Sequence, residues 1–194
     1  MFALLVAGCG GSETGFSGGT TYVSPPKQPI EILREEALRL SAEIQAVEPT
    51  PGAGTPDVGT AQFDGIATFG FLAESSMGEG IGGDIVLLVN FADDSFVGRI
   101  DDFYSRDGDA REGAFTITDG FIGRGSEGVL LGANLTGTLE ILSEVRDFDG
   151  AMLGAFAGET AQYAAGQIFI ESEFEVPSSD RLPLSVEGAF LVER

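Results

Sequence analysis

From residue 57 onward, apolar and polar positions alternate with a period of two, the signature of strands that bury one face. Eight such runs are predicted, at Gly59–Leu72, Gly83–Phe91, Ser95–Tyr104, Gly113–Phe121, Leu131–Leu142, Arg146–Phe156, Tyr163–Phe174 and Leu182–Glu193. Within them Ile85, Leu87, Val89 and Phe91 share one face, and Leu184, Val186, Gly188, Phe190 and Val192 share another. Ala92-Asp93-Asp94, Arg106-Asp107-Gly108-Asp109 and Pro177-Ser178-Ser179-Asp180 mark turns between runs. With no helical crossover after residue 56, consecutive strands are expected to be antiparallel neighbours, and closing the sheet removes its exposed edges. The predicted fold is all-β: an eight-stranded antiparallel up-and-down β-barrel, preceded by one short N-terminal amphipathic helix. Gly-Ala-Phe recurs at 113–115, 154–156 and 188–190. We read it as a strand device, small residues permitting curvature beside an aromatic that fills the core, and not as a sequence repeat.

Ahead of the barrel the period lengthens. Ile30, Leu33, Ala37, Leu40, Ile44 and Val47 recur at helical spacing, with Glu31, Arg34, Glu35, Arg39 and Glu43 between them. Pro29 suits a first helical turn and Pro49 ends the run, so a helix is predicted over 30–48. Its apolar stripe is expected to pack on the barrel or plug one mouth, the alternative being a partner-binding helix. Gly, Ser, Thr and Pro dominate residues 10–29, and Thr50–Pro56 has a second linker composition.

The first eleven residues read Met-Phe-Ala-Leu-Leu-Val-Ala-Gly-Cys-Gly-Gly. Val6-Ala7-Gly8-Cys9, closing an apolar run, resembles a bacterial lipobox, in which small residues admit a signal peptidase and the cysteine becomes the acylated first residue. More than one acyl chain is needed for stable anchoring. No basic residue precedes Cys9, so a complete secretory signal is expected to begin upstream of Met1. Gly10 is not the aspartate associated with inner-membrane retention, which points to the outer membrane. The expected organisation is 1–8 signal-peptide remnant, 9–29 tether, 30–48 helix and 57–194 barrel, with Cys9 as the lipidation site.

Composition narrows the chemistry. Thirty-one Asp and Glu against ten Lys and Arg give a formal charge of −21, which excludes a phosphate-backbone binder and disfavours adhesion to anionic lipid. Such a field keeps an exposed protein soluble and suits a basic partner. There is no histidine and only one cysteine, removing the commonest general base, an internal disulfide and thiolate zinc sites. Strand-borne charges such as Arg99, Glu140 and Glu171, the absence of Trp and the presence of only three Tyr argue against a membrane-spanning barrel. The acids Asp101, Asp102, Asp107, Asp109 and Glu112 do not match the twelve-residue calcium loop and are read as a solvated hairpin tip. Gly78-Glu-Gly-Ile-Gly-Gly83 leads into a strand, so it is a turn and not a phosphate loop. No catalytic, cofactor-binding or metal-binding residue is assigned, and no enzyme is expected.

Two stretches carry a family resemblance. Phe91-Ala-Asp-Asp-Ser-Phe-Val-Gly-Arg-Ile100 sets an acidic turn between strands. Asp147-Phe-Asp-Gly-Ala-Met-Leu-Gly-Ala-Phe-Ala-Gly-Glu-Thr-Ala-Gln-Tyr-Ala-Ala-Gly166 joins a Gly-x-Phe-x-Gly strand through an acidic-start loop to a small-residue strand opening, with Ala165-Gly166 where the family carries paired glycines. Both resemble the C-terminal barrel of transferrin-binding-protein-B-like surface lipoproteins, over roughly 57–194 together with the lipobox. The resemblance implies an eight-stranded barrel on a lipid anchor, capturing host iron carriers or complement regulators through its loops. The chain has no room for the large N-terminal lobe of the transferrin receptors, so transferrin itself is not implied and no binding residue carries over. The expected function is an outer-membrane, cell-surface lipoprotein that binds a protein partner. The alternatives are a structural envelope lipoprotein, or a carrier of a small apolar ligand inside a barrel otherwise expected to be packed by Phe63, Phe69, Phe71, Phe96, Phe148 and Phe156.

Overall fold

Alternation along each run decides which side chains enter the barrel, and pairing of the runs closes it. The computed structural model describes residues 30–71, 80–126, 128–141, 143–175 and 181–194. Helix α1 (Ile30–Gln45) is followed by one 3₁₀ turn (Gly52–Gly54) and nine strands: β1 (Thr60–Phe71), β2 (Gly80–Asn90), β3 (Ser95–Ser105), the two-residue β4 (Ala110–Arg111), β5 (Gly113–Gly125), β6 (Gly128–Ile141), β7 (Glu144–Ala157), β8 (Tyr163–Glu175) and β9 (Arg181–Glu193). The short β4 only folds back on β3. The other eight form an antiparallel ring in which sequence neighbours pair, β3 pairs with β5, and β9 returns to β1. The predicted up-and-down barrel with its leading helix is present.

Pairing register sets the bore. From Phe63, stepping to the paired residue on each successive strand gives Leu87, Gly98, Ile117, Leu135, Gly150, Ile170 and Val186, and the path rejoins β1 at Phe71, eight residues along. Eight strands with that offset tilt by about 36° and leave an interior just wide enough for side chains to fill. Aromatic side chains fill it: among the described residues, nine phenylalanines are buried. Toward one end Phe115 lies 5.8 Å from Phe69, 6.0 Å from Phe103 and 6.2 Å from Phe148 between ring centroids. Toward the other, Phe156 lies 5.5 Å from Phe63 and 6.1 Å from Phe91.

So many rings fit because glycines face them. A Cβ at Gly83 would lie 2.5 Å from the Phe103 ring, and one at Gly166 would lie 2.6 Å from the Phe190 ring. Each missing side chain is the space its neighbouring ring occupies. The Gly-Ala-Phe device reads out as expected: Phe115, Phe156 and Phe190 are all buried.

Helix α1 lies on the outer wall and does not plug a mouth. It buries Leu33 and Leu40, with Ile66 of β1 buried on the wall and Ala37 beside it in the seam. The Arg39 guanidinium ties it down, donating to Glu193 of β9 at 2.5 and 3.1 Å while also binding Glu36 and Glu43 on its own helix. The helix ends at Gln45, short of the predicted residue 48. Pro49 disfavours a helical conformation at Glu48, whose carbonyl instead accepts from Gly158 N–H at 2.9 Å.

The second linker is ordered. Thr50 is fully buried, its N–H donating to the Phe156 carbonyl at 3.0 Å and its hydroxyl to the Gly158 carbonyl at 2.6 Å, while Pro49 bridges to Ala157. Farther on, Arg124 of β5 donates to Asp94 (2.8 Å), Asp57 (2.9 Å) and the carbonyls of Pro56 (2.9 Å) and Phe91 (3.0 Å). Residues 46–59 therefore run as a strap along the rim where β7 ends, and β1 begins from it. That rim also carries the turns at 91–94 and 158–162; the 106–112 loop lies at the opposite end.

Candidate functional site

Cys9, the sequence-derived lipidation site, lies outside the described residues, as does Gly78 of the glycine turn. Gly80–Gly83 of that turn belong to β2.

The five acids singled out from the sequence do not converge. Asp101 and Asp102 sit on β3, Asp102 at a positive φ of 51° where the β2–β3 register shifts. Asp107 and Asp109 are exposed in the following turn. That turn is built by backbone bonds, Ser105 N–H to Asp109 carbonyl at 2.8 Å and Gly108 N–H to Ser105 carbonyl at 2.9 Å. Glu112 N–H donates to Glu140 of β6 at 3.1 Å, and Arg111 faces the same Glu140 at 3.6 Å. Among the described residues, no group of three or more acids, histidines or cysteines is arranged to hold a metal ion.

A different acidic group does form. Register places Asp84 of β2 between Ile66 of β1 and Asp101 of β3 on the outer wall, and its side chain is buried with Oδ2 lacking a hydrogen-bond partner. Burial pushes its carboxyl up from 3.8 to about 7, with Asp102, Asp101 and Asp64 adding repulsion. Arg99, at 2.5 Å from Asp101, supplies counter-charge beside this group. Sequence reading missed it, although a signal was present: one aspartate opens the otherwise apolar run Ile85-Val86-Leu87-Leu88-Val89.

A recess of about 170 Å³ lies where α1 crosses the start of β2, with Ile30, Leu33, Ala37, Ile66 and Ile81 as walls. Arg34, donating to the carbonyl of Arg106, lies at it too. Outer-wall hydrophobics elsewhere include Phe121, Leu130 and Leu153, which are exposed on β5, β6 and β7. Neither protein-family models nor curated proteins match this chain.

Proposed function

We propose that this chain is an outer-membrane lipoprotein, anchored by acyl chains on Cys9, whose barrel presents its loops to a protein partner at the cell surface. Iron acquisition or another host-surface interaction is the setting, by resemblance to transferrin-binding-protein-B-like barrels. The observation that carries the reading is the placement of the single cysteine. It closes an apolar run after two small residues and is followed by a Gly/Ser/Pro-rich tether leading to a closed domain.

The barrel's polarity supports it. Apolar side chains fill the bore, while Asp64, Thr116, Asn134, Asp149, Glu171 and Glu187 take wall-facing positions outside. A membrane-spanning barrel reverses that arrangement. The filled bore favours capture of a partner on the outside over carriage of a ligand within.

The test is surface proteolysis of intact cells expressing the gene from its own locus, combined with mass spectrometry of the N-terminal peptide. The expected result is an acylated Cys9 and a barrel cut within 106–112 on living cells. An unmodified Cys9 refutes the anchor. An acylated chain protected from protease refutes the surface display and leaves a structural envelope role facing the periplasm.

A further inference from the structure

The outward face of an antiparallel sheet in water is expected to be polar, and toward the 106–112 end the wall formed by β5 to β8 is. Thr116, Thr136, Asp149 and Glu171 lie side by side there across the four strands. Toward the strap rim the same wall turns apolar. Phe121, Leu130, Leu153 and Phe169 are 56%, 61%, 55% and 39% exposed, with Ala151, Ala155 and Ala165 between them.

Two local features build this surface. Between Thr118 and Phe121, β5 carries one residue more than either neighbouring strand, with Asp119 at a φ of 52°. In the phase set by Phe115 and Ile117, Phe121 would enter the bore; the bulge turns it out and sends Ile122 in. Its ring then lies over Gly132 of β6, where a Cβ would stand 2.7 Å from the ring and 3.2 Å from the Leu153 side chain. The glycine lets both side chains sit close against the wall. Carboxylates border the patch: Asp119, Asp149, Glu171 and Glu187 are exposed around it, Glu187 standing opposite Phe169 on β9. The basic residues of β5 to β8 are Arg124, bound to Asp94 and to Asp57 of the strap, and Arg146, paired with Glu144.

We infer that this patch docks a partner protein whose contact surface sets apolar side chains within a ring of Lys or Arg. Charge complementarity selects that occupant. A second copy would bring the same carboxylates face to face across a two-fold contact, with a charge of −21 on each chain. Three strand spacings across and about four residues along give roughly 14 by 13 Å, the size of the desolvated centre of an interface whose rim is polar. The inference rests on the partner-binding reading above and deepens it, adding the wall beside the strap rim to the loops as a contact surface.

The probe is a short fluorescein-labelled amphipathic helical peptide made of Leu and Lys. It is titrated by fluorescence anisotropy into the full chain carrying Cys9→Ser, so the outcome is independent of acylation and of surface display. Binding is expected to be at least about tenfold tighter than for the same peptide with Ser in place of Leu, and Phe121→Ser with Leu153→Ser should weaken it by about tenfold or more. Asp149→Asn with Glu171→Gln and Glu187→Gln should weaken it and flatten its salt dependence. Glu31→Gln with Glu35→Gln and Asp107→Asn, exposed acids on other faces, should leave it within about twofold. In Phe121→Cys of the same chain, saturating peptide should slow maleimide labelling of the thiol by about tenfold or more. Equal binding of the two peptides, equal weakening by both sets of acid changes, or a thiol labelled at an unchanged rate overturns the inference. So does a dimer in sedimentation that Phe121→Ser with Leu153→Ser dissolves, which assigns the patch to a second copy.

Discussion

Replacing Asp84 with asparagine isolates the cost of burying a carboxylate on the wall of this barrel. The folded protein holds the Asp84 carboxyl at about 7 against 3.8, chiefly through burial and then through Asp102, Asp101 and Asp64. A carboxyl raised on folding favours the native state only in its neutral form. The contribution of Asp84 is therefore greatest below about pH 4 and is lost as pH rises through about 7. Carried through in full, the difference corresponds to about 4 kcal/mol. Solvent screening and local relaxation around the carboxylate lower the expected net loss to about 2 kcal/mol. Asp84→Asn keeps the shape and removes the ionisation. It should be more stable than wild type by about 2 kcal/mol at pH 8, raising Tm by roughly 4–8 °C for a domain of this size, and indistinguishable from it at pH 4. Urea denaturation at both pH values measures this directly. A gain of equal size at pH 4 and pH 8 would refute the reasoning, because burial of an ionised group could not be its source.

Three other perturbations test the bore, the glycines and the strap. Phe115→Ala removes the ring that touches Phe69, Phe103 and Phe148, and should cost about 3–5 kcal/mol in denaturant unfolding. Gly150→Ala would set a Cβ 2.0 Å from the Phe169 carbonyl oxygen and should cost about 2 kcal/mol or more, whereas Gly123→Ala meets nothing within 4 Å and should fall within about 0.5 kcal/mol of wild type. Arg124→Gln strips the bonds to Asp94, Asp57, Pro56 and Phe91. It should cost about 1–3 kcal/mol and speed amide exchange across 55–59 while leaving the β7–β8 ladder protected.

The strands were legible because alternation is a local property. Whether Leu87 or Leu88 faces the bore is a matter of parity along one run, and the predicted run Ser95–Tyr104 falls within one residue of the observed strand. The helix was legible for the same reason, its stripe of Leu33 and Leu40 being set by spacing alone. The strap was not legible. Thr-Pro-Gly-Ala-Gly-Thr-Pro has no periodicity, and what orders it is a set of backbone partners at Phe156 and Gly158, about a hundred residues away in the chain. Nor was the buried acid legible, since Asp84 reads from sequence as one more charge in an acidic protein. Sequence by itself determined the strands, their inward faces, the helix and the isolation of one cysteine behind an apolar run. Tertiary structure decided the eight-residue offset that fits the bore to its phenylalanines, the closing of one rim by an apparent linker, and the burial of Asp84 on the outer wall. Each of these depends on what distant chain segments bring to a surface, and no local pattern encodes that.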